Sequence, residues 1–115
     1  MSYKKIFVAN DHAGLSLKEH LKSTFSHEPC EHLGAFHTTS VDYPDFTAKV
    51  CQSMAENPDT IGVLICGSGQ GMAMAANKFS HIRAALCWTK EVAQLAREHN
   101  DANVLCLSGG DTVSK

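Results

Sequence analysis

Ile61-Gly62-Val63-Leu64-Ile65 is apolar without interruption and runs directly into Cys66-Gly67-Ser68-Gly69-Gln70-Gly71. A strand with one wet face alternates apolar and polar positions, so an unbroken apolar run suits a central strand covered on both faces. The glycines that follow end it abruptly. A chain built around such a strand needs a layer of structure on each side, and the flanking sequence has the periodicity to supply both.

Lys5 to Ala9 (KIFVA) is a first β-rich run. Beyond it, Ala13, Leu17, Leu21 and Phe25 recur every fourth residue and leave Lys18, Glu19 and Lys22 for water, the pattern of a helix packed on a sheet. Cys30 to Phe36 reads as a weaker second strand. Asp42-Tyr43-Pro44-Asp45 is a turn and helix start, where proline fixes φ in the first turn, and Phe46, Val50 and Met54 continue that helix's apolar face. Asn57-Pro58-Asp59 breaks it. Two further strands, Ile82 to Cys87 and Asn103 to Leu107, flank a helix around Glu91 to Glu98. Strands alternating with helices predict an α/β fold: a Rossmann-like three-layer αβα sandwich with a five-stranded parallel sheet and right-handed crossovers. With no repeat or linker, residues 1–115 read as a single domain.

Composition narrows the function. At 115 residues, 43% apolar and 19% charged with a formal net charge of -2, the chain is ordinary globular protein without the basic surface of a nucleic-acid binder. No apolar run reaches membrane-spanning length, and MSYKKIFVAND enters a strand without a signal peptide's hydrophobic region, so a cytoplasmic protein without a membrane partner is expected. The five cysteines are odd in number and lack a C-x-x-C pair, as reduced core thiols would. His27, His32, His37 and Cys30 cluster loosely, but their spacing fits no standard zinc pattern; no metal is expected.

In open parallel sheets, ligands bind beyond the carboxyl ends of the strands. That rule selects Asn10 to Gly14, Cys66 to Gly71, Trp88 to Lys90 and the segment after Leu107. In the first loop Asp11 suits a helix N-cap or a functional carboxylate, and His12 suits anion contact or simple exposure. In the second, Gly67, Gly69 and Gly71 let the backbone curl around a ligand while N–H groups opening the next helix face it. The loop lacks a P-loop lysine and the full dinucleotide-fold spacing, so neither nucleotide assignment is supported. Cys66 suits a small core residue, as Cys51, Cys87 and Cys106 do; at the head of a glycine loop, local dipoles also favour the thiolate that a base or nucleophile requires. Ser68 can donate to a developing oxyanion. In Arg97-Glu98-His99-Asn100-Asp101-Ala102-Asn103, His99 and Asn100 serve either as a helix C-terminus or as a general acid/base and a hydroxyl-binding amide.

DHAG after the first strand, DYPD before the second helix, CGSGQGMAMAANK, IRAA and REHNDANVL occur here in that order and spacing. By these motifs the chain resembles the ribose-5-phosphate isomerase B family, with galactose-6-phosphate isomerases as relatives, over essentially its whole length. The resemblance implies a metal-free and cofactor-free aldose–ketose isomerisation of ribose 5-phosphate and ribulose 5-phosphate in the non-oxidative branch of the pentose phosphate pathway. It implies Cys66 as the base, Ser68 and the amides of the Gly67 to Gly71 loop, Gln70 included, as the enediolate cradle, and His99 as ring-opening acid/base. Asp11 would act near the ring oxygen and hydroxyls, Asn100 as a substrate amide, His12 as a phosphate contact, and Tyr43 at the pocket border. A homodimer or dimer of dimers is implied, each site completed across an interface.

The chain departs from the family in two places. Gly110 falls where the family carries a phosphate-binding arginine, and the chain ends at Lys115, where the family continues into a further helix bearing more arginines. These departures keep open an alternative of another class: a truncated, impaired relative that only binds sugar phosphate or a paralogous subunit.

Overall fold

The computed structural model describes residues 4–10, 29–34 and 43–109, with side chains from 45 onward in the last stretch. Strands β1 (Lys5–Asn10), β2 (Cys30–His32), β3 (Thr60–Cys66), β4 (Ala84–Leu86) and β5 (Val104–Ser108) form one sheet in the order β2-β1-β3-β5-β4. Every pairing is parallel. Helices α1 (Tyr43–Glu56), α2 (Gln70–Ala76) and α3 (Lys90–Asn100) connect successive strands, giving the expected three-layer α/β fold. The helix expected around Ala13 to Phe25, residues His27 and His37, and Gly110 to Lys115 lie outside the described residues.

The central position of β3 follows from its composition. It pairs with β1 along one side and β5 along the other, so both edges are satisfied and its apolar side chains fill the layers above and below. Alternation sorts these residues: Phe7, Ala9, Leu64, Cys66 and Cys106 meet Val50, Met54 and Met72 on one face, whereas Ile6, Val8, Val63 and Ile65 cluster on the other. Gly62 interrupts the apolar run for a packing reason. A Cβ there would stand 2.9 Å from a methyl of Val50, 3.0 Å from the Met54 sulfur and 3.2 Å from Val104, so α1 approaches the sheet only over a glycine.

Two strands are shorter than their sequence runs. Instead of extending from Cys30 to Phe36, β2 ends at His32, and the chain bends at Gly34, whose carbonyl accepts the Asn10 N–H at 2.6 Å. The run from Ile82 to Cys87 contributes only Ala84–Leu86, because the Ile82 N–H is taken by the Phe79 carbonyl in the preceding turn. The outward-facing groups of Ala84 are occupied as well: the Asn77 amide donates to the Ala84 carbonyl at 2.9 Å and accepts its N–H at 2.8 Å. Helix α3 begins one residue earlier than expected, where the Thr89 hydroxyl accepts the Val92 N–H at 3.2 Å.

All five cysteines are free thiols. Burial raises Cys51 from 9.0 to about 11. Burial, reinforced by the neighbouring Cys66, Cys87 and Cys51 thiols, raises Cys106 to about 12. Both folded-state values lie above that of an unfolded thiol, so the native state holds these protons more tightly. Their contribution is complete below pH 9 and lost as the pH climbs towards 11 and 12. The midpoint of urea unfolding is therefore expected to fall through that window, and Cys106→Ala should make the fall shallower; an equal slope in the variant would show that Cys106 does not contribute.

Candidate active site

Cys66 closes β3 with 5% of its surface exposed and its side chain on the α1 and α2 face of the sheet. The chain then leaves the ladder through Gly67 and Ser68 and turns into α2 at Gly69, whose φ of 83° lies in the left-handed region. A side chain at Gly69 would stand 2.5 Å from Leu86 Cδ1 and 3.1 Å from the Leu107 carbonyl carbon, so the turn needs glycine for conformation and for close approach to β5. Thus one of the loop glycines is required by fold geometry as well as by any ligand.

The donors of this turn divide into used and available ones. Gln70 N–H donates to the Ser68 hydroxyl oxygen at 3.3 Å, which leaves the Ser68 proton free to point elsewhere. The first intrahelical bond runs from Ala73 N–H to the Gly69 carbonyl at 3.2 Å. Gly71 and Met72 precede it, so their N–H groups have no carbonyl within the helix to bond. A thiol, a hydroxyl and outward N–H groups therefore meet at the carboxyl end of the central strand. Such a set can take a proton from carbon and hold the resulting oxyanion.

β1 ends beside this turn. Asn10, fully buried, pairs in register with Ile65; Asp11 and His12, which follow it, lie outside the described residues. Tyr43 is the first residue of α1, and its side chain is likewise not described. Gln70 and Gly71 open α2 directly after the cradle, with Gln70 exposed.

His99 and Asn100 are not brought to Cys66 within the chain. Both are exposed at the carboxyl end of α3, which runs against the strands and delivers the chain to the start of β5. The Asn103 carbonyl accepts the Gly62 N–H at 2.9 Å, and the register pairs Gly62 with Val104 but Cys66 with Ser108. Four residues of strand, about 13 Å, therefore separate the two ends. Asn100 is also not the helix cap: that position belongs to Asp101 at φ 52°, while the Asn100 carbonyl accepts Arg83 Nε at 2.6 Å. Arg97 turns inward similarly, donating to the Ala102 carbonyl at 2.6 Å.

The sequence reading missed Ser108. It is a polar residue closing an apolar strand, 3% exposed, and its hydroxyl donates to the Gly67 carbonyl at 2.5 Å. A terminal serine after four apolar residues was the available signal. An apolar cavity of about 310 Å³ lies elsewhere, beneath α3, lined by Ile6, Val63, Ala93, Ala96 and Leu105 among others and by none of the Cys66 to Gly71 loop.

Comparison with known proteins follows the same lines. Residues 6–115 match the family described as Ribose/Galactose Isomerase. The chain is 44% identical over 106 residues to the probable ribose-5-phosphate isomerase B of Mycoplasma pneumoniae, covering 90% of this chain and 70% of that protein. The crystal structure of a ribose 5-phosphate isomerase from Thermotoga maritima superposes with a TM-score of 0.90 at 43% identity, over 98% of this chain and 79% of that one. The Mycoplasma genitalium ribose-5-phosphate isomerase B, solved with bound ribulose-5-phosphate, gives 0.85 at 42% identity, over 95% and 74% of the respective chains.

Gly69→Ala tests the turn. Forcing a Cβ into the left-handed region against Leu107 is expected to lower stability by about 1–3 kcal/mol in urea unfolding. Displacement of the cradle should also lower any turnover roughly tenfold or more; a variant as stable and active as the parent would mean that the turn can relax without glycine.

Proposed function

The chain belongs to the ribose/galactose isomerase family, and we propose that it interconverts ribose 5-phosphate and ribulose 5-phosphate through an enediolate, with Cys66 as the base. The observation that carries this reading is the junction of β3 and α2: a thiol at a strand end, followed by a hydroxyl and unbonded N–H groups. In the forward direction the Cys66 thiolate removes the proton from C2 of the open-chain aldose. The C–H electron pair becomes the C1–C2 double bond, and the aldehyde oxygen takes the negative charge. That oxygen lies in the cradle of the Ser68 hydroxyl and the loop N–H groups, whose donors are already fixed by the fold. The Cys66 thiol then returns its proton to C1, and the C2 hydroxyl proton passes to the C1 oxygen as the ketone forms at C2. Neither electrons nor atoms are left over.

Opening of the furanose ring requires a second acid/base. His99 takes that role, with Asn100 holding a sugar hydroxyl, Asp11 near the ring oxygen, His12 on the phosphate and Tyr43 at the pocket border. Because His99 stands at the opposite end of the sheet from Cys66, it serves the site of a second copy, and the active species is a homodimer or a dimer of dimers. The separation between Val104 and Ser108 along β5 supports this reading.

Purified protein should interconvert the two pentose phosphates, and Cys66→Ala should abolish detectable turnover while leaving sugar-phosphate binding in place. Inactivity of wild type and variant alike, with binding retained, would favour a binding-only relative instead. Mixing separately inactive Cys66→Ala and His99→Ala proteins, with exchange of subunits, is expected to restore up to about a quarter of wild-type activity, since half the dimers then carry one intact site. No recovery after verified exchange would place both residues in one chain's site or remove His99 from it.

A further inference from the structure

In a strand, successive carbonyls point to alternate sides. The Cys66 carbonyl points towards β5, as the register requires, and accepts the Gly109 N–H at 2.7 Å. The Gly67 carbonyl should then turn towards β1. It does not: the Ser108 hydroxyl, itself at the end of β5, donates to it at 2.5 Å and holds it on the same side. Two consecutive carbonyls are thus drawn to one neighbour. Since a trans peptide points its N–H opposite its C=O, the N–H groups of Gly67 and Ser68 both face away from β5. That direction is the side of β1, where strand order reverses and open sheets hold their ligands. Successive N–H groups aimed the same way form an anion-binding concavity.

We propose that Ser108 is a positioning residue for the isomerisation, fixing the Gly67–Ser68 peptide so that its N–H faces the enediolate oxygen. This assignment rests on the isomerase reading of the Cys66 site. Ser108 touches no reacting atom in it; it acts through the orientation of one peptide group. Ser108 is 3% exposed, so bulk water does not compete for its hydroxyl proton. Without that bond the Gly67 carbonyl is free to resume strand geometry, which would point the Ser68 N–H back towards β5 and take one donor out of the cradle.

The test compares wild type with Ser108→Ala and with Ser108→Cys, which keeps the volume but donates poorly. Turnover is expected to fall roughly 10- to 100-fold, less than or similar to loss of an oxyanion donor itself, with KM changing by no more than about twofold. Affinity for a phosphorylated hydroxamate, which mimics the enediolate, should weaken by the same factor as kcat/KM. Affinity for a five-carbon sugar-alcohol phosphate, which has no carbonyl, should stay unchanged. Equal weakening for both ligands, unchanged turnover, or failure of both variants to fold would overturn the assignment and leave Ser108 a fold residue only. An active wild type beside unaffected variants removes the Ser108 role alone, whereas an inactive wild type removes the isomerase reading and this one together.

Discussion

Beyond the last residue of β3, two hydrogen bonds hold the chain to β5: Cys66 carbonyl to Gly109 N–H at 2.7 Å and Gly67 carbonyl to Ser108 hydroxyl at 2.5 Å. The Cys66 to Gly71 loop depends on them. They prolong the parallel ladder past the point where side-chain packing would end it, so the Cys66 thiol emerges from a rigid frame. They also set the entry angle of α2, which must pass Leu107 so closely that only glycine fits at position 69. The position of the Cys66 thiol, the loop N–H groups and the start of α2 are therefore consequences of one strand pairing.

The parallel order also fixes where α3 ends. Because β4 and β5 run parallel, the chain must return from the carboxyl end of β4 to the amino end of β5, and α3 makes that return. Its last turn, with His99 and Asn100, consequently arrives where strands begin. Arg83 and Arg97 secure it there by donating to the carbonyls of Asn100 and Ala102, and Asn103 joins the turn to β3 and to the residues preceding β4. Arg83 thereby answers one of the carbonyls left over at the helix end.

Much of the fold was legible in the sequence. The uninterrupted run at 61–65 marks the central strand, and the four-residue spacing of Phe46, Val50 and Met54 marks the buried face of α1, because both signals report burial directly. The lengths of β2 and β4 were not legible, since a strand's extent is set by which neighbour satisfies its N–H groups, as the Phe79 carbonyl does for Ile82. The rule for parallel sheets singles out the loop after Cys66, which follows the carboxyl end of the central strand. The separation of His99 from that loop was implied by the same parallel order, since a helix joining two parallel strands ends where the second strand begins. Ser108 was hidden: a serine at a strand end looks like a solvated terminus until its partner, forty-one residues away, is known.

Asn77 gives the sheet a boundary. Its amide occupies both outward-facing groups of Ala84, on a three-residue strand that would otherwise present an open row of donors and acceptors at the sheet's edge. A strand from another molecule could join there only by displacing an intramolecular pair already in good geometry. Pairing of a further strand along this part of β4 is therefore disfavoured.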